Sequence, residues 1–162
     1  DKEELSKQVI PELISMRDIT KGDVMYSVFE GIRGVKTARE KVFETLDKGD
    51  VLYVILANYP KTEKMEGYWM DFQKRRAKKG IKCRYIFNED LRSVGAKRSK
   101  FSLAEARYVK SEALSPMWVE VFGDYVGIGV MGENPSIFLV HSKEVAKGFV
   151  AYFKSLWKVG KK

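Results

Sequence analysis

The sequence has one cysteine and one histidine in 162 residues. Cys83 has no partner within the chain, so an intrachain disulfide and a cysteine-rich zinc site are both excluded. His141 alone cannot build a histidine metal centre within one chain, and no metal or cofactor is called for. Proline is scarce, with four residues, and no low-complexity tract or strong internal repeat interrupts the chain. No apolar run approaches the roughly 20 residues that span a bilayer. The acidic start, Asp1 to Glu4, is not followed by the apolar segment of a signal peptide. No membrane partner is expected, and the simplest compartment is the cytoplasm.

What is present is a globular composition, 44% hydrophobic and 32% charged, with a net charge of +8. That length suits one domain with a sizeable core. The charge permits a nucleic-acid partner without requiring one. Val24 to Asp50 organises the rest. An apolar run, Val24 to Phe29, meets a turn at Glu30-Gly31-Ile32-Arg33-Gly34. An amphipathic helix follows, with Val35, Ala38, Val42 and Leu46 on one face, and Gly49 stops it. Val51 to Leu56 reads as a buried strand. Strand, glycine turn, helix and strand form a βαβ unit, which implies a parallel sheet.

The remaining pattern continues this α/β class. Asp1 to Asp18 reads as a helix with Leu5, Val9, Leu13 and Met16 on one face, interrupted by Pro11, and Ile19 to Asp23 as the turn into the first strand. The chain opens without an initiator Met, as a fragment cut from a preceding domain would. Residues 20–162 form the domain proper. A helix is expected over Thr62–Lys79, with Met65, Tyr68 or Trp69, Phe72 and Arg76 inside and Gly80 as C-cap, then a strand over Ile81–Phe87. Leu91–Lys100 is short and basic, irregular or a brief helix, and Ala106–Val109 a short strand. Met117–Phe122 and Tyr125–Met131, joined at Gly123-Asp124, read as a β-hairpin. Ser136–Val140 is a further strand, and a long C-terminal helix follows with Ser142 as N-cap. Tyr26, Trp69 and Trp118 are read as core rather than as pocket walls.

Few residues carry obvious chemistry. Glu30 to Gly34 lacks the spacing of a phosphate loop, so its glycines are read as a tight turn and close packing. His141-Ser142-Lys143 spells the start of the HxKxxxxD signature, but Gly148 stands where the Asp belongs. The basic run from Lys74 to Arg84, with Lys74, Arg75, Arg76, Lys78 and Lys79, is either a solvated helix back or a phosphate-contacting patch. Arg92, Lys97, Arg98 and Lys100 could line an anionic ligand site. In open α/β sheets ligands sit beyond the carboxyl ends of the strands. Those ends supply Glu30, Asn58, Asn88 and His141. With Arg92 they make a candidate ligand-binding set for a small polar or anionic effector.

FEGIRGVK from Phe29, KGDVLYV from Lys48, FQKRRAKKGIK from Phe72, EVAKGF from Glu144 and YFKSLW from Tyr152 together resemble the C-terminal domain of archaeal TrmB-like transcription regulators. The resemblance implies a phospholipase D-like three-layer sandwich, β-α-β-α-β followed by an antiparallel hairpin, a further strand and a long C-terminal helix. It implies a non-catalytic domain for effector sensing and homodimerisation. DNA would be read by a winged helix-turn-helix domain preceding residues 1–19, its linker helix. Setting Asp124 as the signature Asp puts Met117 and Val119 where the catalytic His and Lys belong. The alternatives are a degenerate phosphodiesterase, with His141 and Lys143 from two chains at one site, or direct nucleic-acid binding through the basic run.

Overall fold

A computed structural model describes residues 19–21, 24–57, 63–111 and 116–162. The helix expected over Asp1–Asp18 and the candidate Asn58 lie outside the described residues. The strands are β1 (Ile19–Lys21), β2 (Val24–Glu30), β3 (Val51–Ala57), β4 (Lys82–Asn88), β5 (Ala104–Val109), β6 (Met117–Phe122), β7 (Tyr125–Val130) and β8 (Ser136–His141). The helices are α1 (Gly31–Phe43), α2 (Glu63–Lys79), α3 (Arg92–Ser99) and α4 (Lys143–Val159). The hairpin, the brief helix after β4 and the long closing helix all stand where the sequence puts them. Ser142 Oγ accepts the Val145 N–H at 3.3 Å and so caps α4.

The eight strands form one sheet in the order β1-β2-β8-β7-β6-β3-β4-β5. β3, β4 and β5 are parallel, and β6, β7 and β8 run antiparallel. β2 and β3 point the same way, as a βαβ unit requires, but they do not pair. The hairpin and β8 occupy the three places between them. The expectation of a parallel sheet therefore holds for β3 to β5 alone, and the sheet is mixed. An antiparallel hairpin needs only a two-residue turn, here Gly123-Asp124, so it can fill a gap that a crossover helix leaves open.

Helix α1 differs from its expected limits at both ends. It starts at Gly31, directly on β2, and ends at Phe43. Gly31 makes that corner with φ of 72°, a conformation side chains with a Cβ resist, and its N–H donates to Pro135 O at 2.7 Å. Leu46 lies beyond the helix but is still buried in the core.

Two apolar layers cover the sheet. Val35, Ala38 and Val42 of α1 and Met65 and Phe72 of α2 pack on Leu52, Val54, Tyr85, Phe87, Trp118 and Phe122. On the other face Ala146, Phe149 and Phe153 of α4 meet Ile55, Ile86, Val121 and Val126. α4 leaves part of its face bare, where Tyr26, Val28 and Phe138 remain about half exposed. Tyr26 is thus a surface residue rather than a core one.

Trp118 stands directly opposite Gly129 across the hairpin. A Cβ at Gly129 would fall inside the Trp118 ring, so the large side chain and the absent one form a matched pair. Gly129→Ala is expected to cost on the order of 1–3 kcal/mol through overpacking, read as a lower urea midpoint. Cys83 lies under the helices, and burial pushes its thiol up to about 11. It is expected to resist iodoacetamide at pH 8 in the native chain and to react fully once the chain is unfolded, as mass spectrometry would show.

Candidate functional site

The sequence-predicted ligand set is scattered by the topology. Glu30 ends β2 and Asn88 ends β4, on the same edge of the sheet but five strand steps apart. At about 4.8 Å per step they are about 24 Å from one another. His141 ends β8, which runs the opposite way and pairs His141 with Met25 at the start of β2. It therefore lies at the other edge, stacked on Tyr125 with ring centroids 4.1 Å apart. Among the candidates that lie in the described residues, only Asn88 and Arg92 are neighbours, and both are occupied. Asn88 Oδ1 accepts the Asp90 N–H and its Nδ2 donates to Ser111 O. Arg92 donates to Lys162 O and lies over the Tyr108 ring at 4.4 Å. Reading all strand ends as one edge is correct only for a parallel sheet, which is why the set comes apart.

The basic run is largely consumed inside the fold. Arg76 is fully buried and donates to Gln73 Oε1, Ile81 O, Leu103 O and Ser102 O, tying α2 to β4 and to the turn before β5. It is correctly an inner residue and is not available to a phosphate. Arg75 forks onto Glu40 of α1 and also pairs with Asp71. That fork holds the Glu40 carboxyl below its ordinary value. Lys79 Nζ donates to Phe43 O. Lys74, Lys78 and Lys82 remain exposed.

The chemistry gathers elsewhere, between the sheet and helices α1 and α2. On β6, alternation sends Trp118, Glu120 and Phe122 to that face. Glu120 is 1% exposed. Arg39 of α1, 2% exposed, reaches it and forms a buried ion pair. The Arg39 guanidinium also sits over Trp69 at 3.9 Å, Phe72 at 4.3 Å and Phe122 at 5.0 Å. Burial pulls Arg39 below its ordinary value, yet an arginine begins so far above neutrality that it keeps its proton.

Beside this pair is a recess of about 50 Å³, walled by Leu52, Val54, Phe87 and Met131 and by the polar Arg39, Gln73, Tyr85, Arg98 and Glu120, with Trp69 and Trp118. Trp69 is the one lining residue that is partly exposed, so it marks the entrance. It meets Trp118 edge to face at 6.1 Å. Both tryptophans are thus core and wall at once. Arg98 turns away to bind Glu66 at 2.8 Å. Four buried atoms in this lining have no hydrogen-bond partner: Arg39 Nε, Tyr85 Oη, Trp118 Nε1 and Glu120 Oε1. Such atoms ordinarily cost about 1–3 kcal/mol each, so four of them on residues that wall one recess mark a place where something polar belongs. Burial also pushes the Tyr85 hydroxyl well above its ordinary value, so it stays a neutral donor. Among the described residues, no cluster of three His, Cys, Asp or Glu side chains could hold a metal ion, and no helix is long and apolar enough to cross a membrane.

Of these residues only Arg98 was among the sequence candidates. Arg39 and Glu120 left a faint signal. Arg39 falls four residues after Val35 and three before Val42, on the apolar stripe of α1. Glu120 is the sole charge in an apolar strand. Two opposite charges on faces meant for burial can be satisfied by each other.

Arg39→Met leaves Glu120 buried and unpaired and is expected to cost about 3–5 kcal/mol. Arg39→Met combined with Glu120→Leu removes both charges and is expected to recover most of that loss. Urea unfolding of the wild type, both single variants and the double checks this.

No known family profile matches the sequence, and no curated protein does. Solved structures do match. Nuc from Salmonella typhimurium, a phospholipase D family member, aligns with a TM-score of 0.62 at 9% identity, covering 85% of this chain and 97% of that one. NucT from Helicobacter pylori gives 0.60 at 13%, covering 85% and 98%. TrmBL2, an archaeal chromatin protein with a novel mode of DNA binding, gives 0.56 at 11% and covers 99% of this chain, which spans 62% of TrmBL2. At such identities these likenesses speak for the fold alone, and the fold they share with this chain is phospholipase D-like.

Proposed function

We propose that this chain is the non-catalytic, ligand-sensing and self-associating part of a TrmB-like archaeal transcription regulator acting in the cytoplasm. The observation that carries the reading is the polar recess at Arg39 and Glu120, set between sheet and helices and walled by four residues with a buried polar atom unpaired within the chain. A recess there can couple a ligand to α1 and α2 together, because both helices supply its walls. The extent of the TrmBL2 likeness supports the reading too. It takes in 99% of this chain and leaves over a third of TrmBL2 unmatched, room for a DNA-reading part. Such a part would precede residue 1 here and would deliver the ligand signal to an operator.

The phosphodiesterase reading has one specific support, the likeness to enzymes of the same fold, such as phosphatidylserine synthase from Haemophilus influenzae. Against it stand Met117 and Val119 where the signature would place His and Lys. His141 lies at the edge of the sheet away from Glu30 and Asn88, packed on a tyrosine. The recess offers Arg, Glu, Gln, Tyr and Trp, with no His, Lys, Ser or Cys in its lining.

The two readings differ in a turnover assay. The chain is expected to release no nitrophenol from bis(p-nitrophenyl) phosphate over a day, and His141→Ala is expected to change nothing. Turnover that His141→Ala abolishes would overturn the sensor in favour of the enzyme.

A further inference from the structure

The unpartnered atoms of the recess define what would fill it. Arg39 Nε and Trp118 Nε1 each carry one hydrogen with no acceptor, Tyr85 Oη can give one and take another, and Glu120 Oε1 waits for a donor. The four residues are at most 5% exposed. Among the described residues one further buried side-chain atom lacks a partner, Arg107 Nε, whose guanidinium lies over Trp157 of α4 on the opposite face of the sheet. Four of the five therefore belong to residues that wall one space.

The charges of the recess cancel. Arg39 is neutralised by Glu120, and Arg98 by Glu66. A net charge brought inside would have no counter-charge left to meet it and would lose its hydration. The hydrogen bonds do not cancel: three donors face one carboxylate oxygen. The occupant must therefore bring more acceptors than donors, with at least one hydrogen for Glu120. The space of about 50 Å³ corresponds to roughly four water-sized positions.

We propose that the recess between β6 and helices α1 and α2 binds a neutral, compact, oxygen-rich molecule, a short hydroxylated amide or carbonyl compound. Its acceptor oxygens meet Arg39 Nε, Tyr85 Oη and Trp118 Nε1, and its hydroxyl donates to Glu120. The proposal rests on reading the chain as a sensor and adds the class of its ligand. Entry is beside Trp69, and the guest replaces water that those four atoms would otherwise hold.

Glycolamide and glycolate test this, since they share size and hydroxyl and differ in charge. Each is titrated into the whole 162-residue chain at millimolar concentrations. Tryptophan fluorescence is the local readout, because Trp69 and Trp118 line the recess, and the thermal midpoint is the global one. Glycolamide is expected to shift both, with glycolate at least about tenfold weaker, as an uncompensated charge requires. Tyr85→Phe removes a hydroxyl whose contact within the chain is the weak one to the Cys83 thiol. It is expected to leave the ligand-free midpoint unchanged or raised and to weaken glycolamide roughly three- to tenfold, the worth of one hydrogen bond. Glycolate binding as tightly as glycolamide would overturn the neutral-ligand assignment and leave the sensor standing. If neither compound moves the fluorescence, the recess is a water site, and both the assignment and sensing at this place fall. Glycolamide binding unaffected by Tyr85→Phe would place it elsewhere and overturn the assignment.

Discussion

Arg39 and Glu120 are each brought into the core by an element that has no other way to lie. α1 must bury Val35, Ala38 and Val42, and that orientation carries Arg39 inward with them. β6 must bury Trp118 and Phe122 on the same face, and strand alternation leaves Glu120 between them. Neither charge could be buried alone, because the penalty would be several kcal/mol for each ion. Together they are tolerated, and the aromatic rings of Trp69, Phe72 and Phe122 close around the guanidinium. The pair ties α1 to the hairpin strand, and the gap beside it is the recess.

The same constraint fixes how the two helices sit. Arg75 of α2 forks onto Glu40, one residue beyond Arg39, so α1 and α2 are joined at the surface as well as through the core. Tyr68 also donates to Glu40, and burial pushes its hydroxyl up to about 12. Arg76 holds the far end of α2 against β4 and the turn before β5. Arg75, Arg76 and Lys79 of the basic stretch are thus spent on holding α2 in place.

Local patterns carry most of the elements and their faces, but they read Ile19 to Asp23 as a turn where the short edge strand β1 stands. Period-two and period-3.6 patterns are local, so the hairpin at Gly123-Asp124, the Ser142 cap and the inner face of α2, Arg76 included, could be read from residues alone. The fold class followed from their order. Tertiary structure alone decided which strands are neighbours. β2 and β3 look adjacent in sequence, yet β8, β7 and β6 lie between them, because strand pairing is a long-range choice among edges that periodicity does not distinguish. That choice reverses β8, moves His141 to the far edge and separates Glu30 from Asn88. The Arg39–Glu120 pair spans 81 residues, and no local pattern connects its halves. A buried charge reads as an error in a stripe until the fold supplies its partner.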